Sequence, residues 1–171
     1  VLVVGGVVVS IVPLASAELW DPVRGSFEPT GSLVQARSGH TATLLGDGRV
    51  LVAGGGAFTP DDFAVHASAE IWDPTTGTFS PAGSLATGRM EHTATRLLDG
   101  RVLFVGGWRR DAGGQAVLAS TEVWDPAAGS FSASGSLAEA RGVHSATLLP
   151  DGSVLVAGGV TSEGDPVASA E

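Results

Sequence analysis

The sequence predicts an all-β protein built from a repeated antiparallel unit of four strands. Short β-branched segments alternate with Gly- and Pro-rich turns, and no long segment carries the apolar period of a helix. In addition, three short motifs recur every 52 residues. Such a period is typical of repeat architectures, and it means that one unit occupies about a third of the 171 residues.

The repeat is defined by three interleaved motifs with a common spacing. A Trp-Asp-Pro motif begins at Trp20, Trp72 and Trp124. An Arg-x-x-His motif begins at Arg37, Arg89 and Arg141. A Gly-Gly pair follows an apolar run at Gly5, Gly54, Gly106 and Gly158, with a first step of 49 residues and later steps of 52. Agreement among three motifs excludes a chance origin for the period.

One complete unit, residues 38–89, shows how the four strands arise. We predict strands A, B, C and D over 40–45, over 49–53, over 68–72 and from residue 78 onward. Asp47-Gly48 predicts a tight hairpin between A and B, because both turn positions favour a positive φ. Asp73-Pro74 and Gly77 predict a type I turn followed by a left-handed residue between C and D.

The repeat divides the chain into four parts of one domain. Residues 1–37 supply strands B, C and D, 38–89 and 90–141 are complete units, and 142–171 supply A, B and most of C. A four-stranded unit with one apolar layer is not stable alone and must stack on its neighbours. Radially arranged antiparallel units of this size form a β-propeller, and each unit is then a blade. With about three and a half blades, the chain is expected to be a fragment whose partners include the remaining blades.

The units resemble the kelch repeat over the whole chain. The matching features are Arg-x-x-His-Thr-Ala-Thr, the Asp-Gly hairpin, Arg-Val-Leu-Val-Ala-Gly-Gly, and an ending with an aromatic residue, Asp-Pro-x-x-Gly and a second aromatic residue. Trp72 and Phe79 take the two aromatic positions, which is similar to the bacterial variant in the central domain of galactose oxidase. The resemblance implies a kelch-type β-propeller, usually of six or seven blades, in a secreted or cell-surface protein.

Composition narrows the classes of partner and site. The net charge is −9, which would repel phosphate backbones, so nucleic acid is not an expected partner. No run reaches the ~18 uncharged apolar residues of a membrane-spanning helix. The chain has neither Cys nor Tyr, so it cannot supply the Tyr–Cys cofactor with copper that galactose oxidase chemistry uses. We expect no cofactor and no metal in this chain.

The B–C loops are the expected binding face. Antiparallel order places the A–B and C–D turns on one face and the B–C loops and D–A connections on the other, and variable loops on a rigid scaffold are where binding usually occurs. Candidate residues in the second and third B–C loops are Phe58, Asp61, Phe63, Trp108, Arg109, Arg110 and Asp111. Trp and Arg are enriched at binding hot spots. Alternatively, Trp108 packs on the neighbouring blade and the arginines are solvated. The apolar first loop, 7–14, is either packed on a blade or exposed for a partner.

The recurrent polar residues have two interpretations. Arg37, Arg89 and Arg141 lie beside the variable loops, and some kelch adaptors use arginines near these positions to recognise acidic peptides. Their recurrence favours instead a structural role, in bonds to carbonyl groups or in pairs with Glu18, Glu70, Glu122 or Glu171. His40, His92 and His144 open successive A strands, where we expect hydrogen-bonded structural histidines rather than metal ligands.

The function expected from the sequence is a non-catalytic binding module for a protein or carbohydrate ligand. Two alternatives stay open. The chain is part of a galactose-oxidase-like enzyme whose catalytic residues lie outside it, or it is a structural spacer in a larger secreted protein. Fold alone does not decide among them, because kelch propellers serve many functions.

Overall fold

The computed structural model describes residues 1–8, 12–58, 63–111 and 114–171. These residues form strands, turns and loops, and every paired strand is antiparallel to its neighbour. The prediction of an all-β, antiparallel fold is therefore confirmed. Among the described residues, no helical segment has the length and hydropathy of a membrane span.

The strands group into sheets that follow the sequence order. The first sheet contains β1 (Leu2–Val4), β2 (Ala17–Asp21) and β3 (Ser26–Pro29). The second contains β4 (Ser38–Leu44), β5 (Val50–Phe58), β6 (Phe63–Val65), β7 (Ser68–Asp73) and β8 (Thr78–Ser84). Next along the chain come β9 (Thr93–Arg96), β10 (Val102–Val105), β11 (Trp108–Asp111), β12 (Gly114–Val117), β13 (Ser120–Asp125) and β14 (Ser130–Ser136). The last two strands are β15 (Ser145–Leu148) and β16 (Val154–Ala157).

Strands A, B, C and D are adjacent within a sheet. The second sheet has the order β4-β5-β7-β8, with β6 paired to the far end of β5, and the third has the order β9-β10-β13-β14. Consecutive sheets lie side by side, because β4 contacts β9, β9 contacts β15, and β8 contacts β14. The B–C segments of neighbouring units consequently come to the same edge of the structure.

Strand B of the second unit is longer than the sequence predicts. We expect it to end at Ala53, but β5 continues through the Gly pair to Phe58 and returns as β6. The rings of Phe58 and Phe63 meet at the end of this hairpin, with centroids 4.6 Å apart. Aromatic cross-strand pairs stabilise antiparallel ribbons, which explains why part of the expected loop is a hairpin.

Glycine is required where strand B approaches the following unit. Gly54 has a φ of 67°, and a Cβ built there would lie 2.4 Å from the carbonyl oxygen of Arg89. The backbone N–H of Gly55 donates to that same carbonyl over 2.8 Å. A side chain at Gly54 would therefore separate strand B from the D–A connection that it holds.

Apolar side chains fill the interfaces between consecutive sheets. Val52 and Trp72 of the second sheet pack on Val4 and Ala17 of the first. The other face of the second sheet packs on the third sheet. The third sheet contributes Val102, Phe104 and Trp124 to this interface, and the second contributes Leu51, Ala53 and Ile71. The second sheet therefore buries one apolar face against the first sheet and the other against the third.

A chain of backbone hydrogen bonds also joins the Arg-x-x-His motifs. The third motif position is Gly39, Glu91 or Val143, and all three have a left-handed φ, of 62°, 51° and 56°. The N–H of Glu91 donates to the carbonyl of Gly39 over 2.9 Å, and that of Val143 to the carbonyl of Glu91 over 3.0 Å. This conformation is unusual for a β-branched residue, so the surrounding contacts must hold Val143 in place.

Candidate functional site

The recurrent arginines lie inside the protein. The side chains of Arg37, Arg89 and Arg141 have no exposed surface. Arg89 donates through Nη2 to Glu122 Oε1 over 2.7 Å and through Nη1 to the carbonyl oxygen atoms of Gly106 and Ser120, both over 3.0 Å. These guanidinium groups therefore have no surface from which to contact a ligand.

The same arrangement recurs in the units on either side. Arg37 pairs with Glu70 over 2.8 Å, and Arg141 pairs with Glu171 over 3.0 Å. Burial lowers the pKa of Arg37, and the facing carboxylate of Glu70 opposes this shift. Glu70 also accepts a hydrogen bond from the backbone N–H of Val34 over 2.8 Å, so it ties the connection before β4 to the second sheet. The arrangement matches the structural alternative expected from recurrence, in which each arginine pairs with a glutamate.

The recurrent histidines also connect consecutive units. His92 Nε2 forms a hydrogen bond with Thr41 Oγ1 over 3.0 Å, and His144 Nε2 forms one with Thr93 Oγ1 over 2.9 Å. The Nδ1 atoms of both rings are buried without a well-formed hydrogen bond. Among the described residues, no three His, Cys, Asp or Glu side chains are grouped so that they could hold a metal ion.

Among the four histidines, His92 is the one whose protonation burial suppresses most strongly. Desolvation lowers its pKa to about 3, and the nearby charges of Arg89, His40 and His144 act in the same direction. The backbone of Arg89 opposes the shift only weakly. The folded chain therefore keeps this imidazole neutral at pH values where an exposed histidine is charged.

Acidification from pH 7 to pH 4 is expected to destabilise the fold through His92. The ordinary pKa of 6.5 falls to about 3 on folding, so below pH 6.5 the unfolded chain takes up the proton first. The stability that His92 contributes is complete above pH 6.5 and is lost as the pH falls toward 3, by roughly 3 kcal/mol at pH 4. Melting temperatures at pH 7, 5.5 and 4 should therefore fall less steeply for His92→Gln than for the parent chain. Equal slopes would contradict this assignment.

A cavity of about 390 Å³ lies between the B–C segments of the second and third units. β6 of the second unit contacts β11 of the third, so the two hairpins stand next to each other. The cavity is lined by Val7, Ser38, Phe58, Phe63, Val65, Met90, Trp108, Arg109, Arg110 and Gln115. Most of these side chains are apolar or aromatic, and the charged ones are both arginines.

The hairpin of β5 and β6 supplies the aromatic wall of the cavity. Phe58 pairs with Phe63 across the strands, and Gly56 pairs with Val65. Directly opposed residues of an antiparallel pair share one face, so Phe58, Phe63 and Val65 lie together. Phe58 is 47% exposed, which leaves much of its ring accessible from solvent.

Trp108 connects the hairpin of β11 and β12 to two Arg-x-x-His motifs, at Met90 and at Gly142. Its backbone exchanges two hydrogen bonds with Met90, over 2.7 and 2.9 Å. Its indole lies against Gly142 of the following unit, where an added Cβ would stand 2.6 Å from the indole Nε1. Gly142 occupies the position of Ser38 and Met90 in the other units, so the missing side chain makes room for this ring. Trp108 therefore both packs on the neighbouring unit and lines the cavity.

The two arginines of β11 complete the lining. Arg109 is half-buried and Arg110 is exposed. Each also has an interaction within the chain. Arg110 lies directly opposite Gln115 of β12, so these two side chains share a face of the hairpin.

The structure brings together most of the sequence-predicted loop residues. Phe58, Phe63, Trp108, Arg109 and Arg110 all line the cavity. Asp61 lies outside the described residues. Asp111 ends β11, and only its backbone belongs to the described structure.

Sequence reasoning missed several lining residues. Ser38 and Met90 line the cavity from within the Arg-x-x-His motif. The motif's second position is Ser, Met or Gly in successive units, and this variation inside a recurrent motif is the signal that could have identified them. The other lining residues that were not named from the sequence are Val65 and Gln115, in the two hairpins, and Val7, in the apolar first loop.

The comparisons with known proteins do not add to these observations. No family model matches the sequence, and no curated protein resembles it significantly. The resemblance to kelch repeats therefore depends on the residues themselves.

Proposed function

We propose that the chain forms part of a kelch-type β-propeller in which each 52-residue unit is one blade. Three features support this proposal. The strands of complete units are adjacent in the order A-B-C-D, consecutive sheets lie side by side, and the recurrent Arg–Glu pairs link each unit to the next. A radial arrangement of such units is the architecture that leaves few unprotected edges.

The first sheet carries an apolar face that further blades would cover. Val3 and Phe27 occupy the repeat positions of Val52 and Phe79. Val52 is fully buried by the preceding sheet, whereas Val3 is 47% exposed and Phe27 is 52% exposed. Contiguous exposed apolar faces usually mark interaction surfaces. The expected occupant is a further unit of the same repeat, since that is what covers Val52.

We further propose that this propeller is a non-catalytic binding module for a protein or carbohydrate ligand. The cavity between the two B–C hairpins is the observation that carries the proposal. Its lining combines Phe58, Phe63 and Trp108 with Arg109 and Arg110, which come from two consecutive units. Aromatic and arginine side chains dominate the binding energy of protein interfaces, and ligand pockets are mostly apolar with few polar groups.

The scaffold beneath the cavity favours recognition by a rigid site. Met90 is the second residue of an Arg-x-x-His motif, next to the buried Arg89, and its backbone holds that of Trp108 through two hydrogen bonds. The hairpin of β11 and β12 is therefore fixed at its base, and the pairing of Ser38 with Gly56 does the same for the hairpin of β5 and β6, although the two sequences differ. A rigid base with variable tips allows binding without a large ordering cost.

A paired-variant capture experiment tests the binding function. The full chain is immobilised and presented with a lysate and with a glycan array, beside a Phe58→Ser/Arg110→Gln variant. The matched control is Val23→Ser/Arg24→Gln, in the C–D turn of the first sheet, where Val23 is 92% exposed. We expect the hairpin variant to lose at least about tenfold in captured ligand and the control to lose none. Equal capture by both variants would remove the cavity from the binding site.

A further inference from the structure

We propose that the cavity between the two hairpins binds a carboxylate attached to a flat or branched apolar group. This inference rests on the proposed binding function and names the ligand chemistry of the same site. Two features of the lining carry it: an aromatic wall on one hairpin and a cationic wall on the other.

The two walls stand at equivalent repeat positions. Phe58 and Phe63 form the cross-strand pair in the hairpin of β5 and β6. The same pair in the following unit, 52 residues later, is Arg110 and Gln115. An aromatic pair in one unit is thus replaced by a cation and an amide in the next. The space between them offers apolar contact on one side and hydrogen-bond donors on the other.

The size and lining of the cavity fit a ligand with a compact apolar group. A volume of about 390 Å³ falls within the range of roughly 300–1,000 Å³ that small-ligand pockets occupy. Phe58, Phe63, Val65, Met90 and Trp108 provide apolar surface. Aromatic faces pack well on planar groups and on branched alkyl groups, so the apolar part of the ligand is expected to contact these rings.

The arginines select a carboxylate at the other end of the ligand. A guanidinium carries five N–H donors in a planar fork that matches the two oxygen atoms of a carboxylate. Arg109 and Arg110 each have an interaction within the chain, so a bound carboxylate uses further donors or displaces that contact. Charge-assisted hydrogen bonds are stronger than neutral ones, and the half-buried Arg109 gains further from the apolar walls, whereas Arg110 is exposed to water.

The neutral polar groups of the lining favour this ligand over a carbohydrate. Ser38 and Gln115 are the uncharged polar side chains that line the cavity. A sugar would need hydrogen-bond partners around most of its ring, because each polar group buried without a partner costs binding energy. A single carboxylate needs donors at one end only, which is where Arg110 and Gln115 lie.

Two sources can present this chemistry, and the experiment separates them. The carboxylate belongs either to a free aromatic acid or to the C-terminal residue of a protein whose side chain is apolar. The probes are naphthalene-2-carboxylate and the uncharged naphthalene-2-methanol, and a hexapeptide ending in Phe with either a free or an amidated C-terminus. Binding to the full chain is measured by isothermal titration calorimetry.

We expect one or both carboxylates to bind at least about tenfold more tightly than their uncharged counterparts. Binding of the free acid, of the peptide acid or of both supports the proposal and identifies the source. Arg110→Gln should weaken the carboxylate by about tenfold and leave the alcohol unchanged, whereas Phe58→Ala should weaken both. The control Arg24→Gln, in an exposed ion pair with Glu28, should change neither.

Two results would overturn the proposal: equal affinity for charged and uncharged probes, or binding of none of the four. The capture experiment with Phe58→Ser/Arg110→Gln is independent of these probes. If that variant loses its captured ligand while no carboxylate binds, the ligand class is wrong and the binding function remains. If a carboxylate binds but capture is unchanged, the ligand class stands and the captured ligand binds outside the cavity.

Discussion

Replacement of Arg89 by Met is expected to lower the free energy of unfolding by about 3–5 kcal/mol, since removal of one partner leaves a buried charge unpaired. The carboxylate of Glu122, which is 4% exposed, would lose its ion pair. The carbonyl groups of Gly106 and Ser120 would each lose the hydrogen bond from Arg89, and that of Ser120 would keep the one from the N–H of Gly106. Urea denaturation followed by tryptophan fluorescence measures the change.

Two further variants separate the lost ion pair from a general effect of substitution. Arg24→Met removes a guanidinium whose side chain is 65% exposed, and exposed ion pairs contribute about 1 kcal/mol or less. The double variant Arg89→Met/Glu122→Leu removes both charges and is expected to recover more than half of the loss. If Arg89→Met costs no more than Arg24→Met, the buried pairs do not hold the units together.

Replacement of Phe104 by Ala is expected to cost a similar amount, about 3–5 kcal/mol, through loss of packing. Phe104 has no exposed surface, and its ring lies 5.4 Å from that of Phe131 and 5.8 Å from that of His92, between centroids. Truncation would leave a cavity in the interface between the second and third sheets. The ring of Phe131 belongs to the paired strand β14 and that of His92 is hydrogen-bonded to Thr41, so neither ring can collapse fully into this space.

The measurement for Phe104→Ala is again the midpoint of urea denaturation. Val23→Ala, at a residue 92% exposed in a C–D turn, is the matched control and should change stability by less than about 0.5 kcal/mol. A loss below about 1 kcal/mol for Phe104→Ala would mean that the inter-sheet interface is not a packed core.

The recurrent part of the structure could be predicted from local residues. Asp73-Pro74 sets a type I turn, and the N–H of Thr75 donates to Asp73 Oδ1 over 2.7 Å. The prediction of positive φ at both Asp47 and Gly48 is only half right, because Gly48 has a φ of 88° whereas Asp47 is not among the residues with positive φ. The N–H of Gly48 donates to the carbonyl of Leu45 over 3.3 Å, so the hairpin closes through a longer turn over 45–48. Such features depend on near neighbours in the chain, which a sequence displays directly.

For the ion pairs between distant residues, the sequence predicted only a set of possible glutamate partners for each arginine. Recurrence indicates that Arg37 has a structural role, but it does not choose between Glu18 and Glu70 as its partner. The choice of Glu70 depends on how the second sheet packs on the first, because Glu70 also accepts a hydrogen bond from Val34. Inter-sheet packing of this kind is not encoded in any local segment.

The cavity itself could not be predicted, although half of its ten lining residues were. Variation between B–C loops identified Phe58 and Trp108, but their approach depends on contact between β6 and β11. The hairpin that carries Phe63 forms through pairing with β5, in a segment predicted to be a loop. Met90 was missed because it lies inside a motif otherwise assigned to the scaffold.

We propose that the recurrent residues build the scaffold and that the two variable hairpins bind a ligand. The most direct measurement is a ¹H–¹⁵N correlation spectrum of the full chain during titration with naphthalene-2-carboxylate. We expect shift changes concentrated in residues 56–58, 63–65, 108–110 and 114–117, with none at the A–B turns around Gly48, Gly100 and Gly152. Shift changes centred on those turns, or spread evenly over the chain, would overturn the proposal.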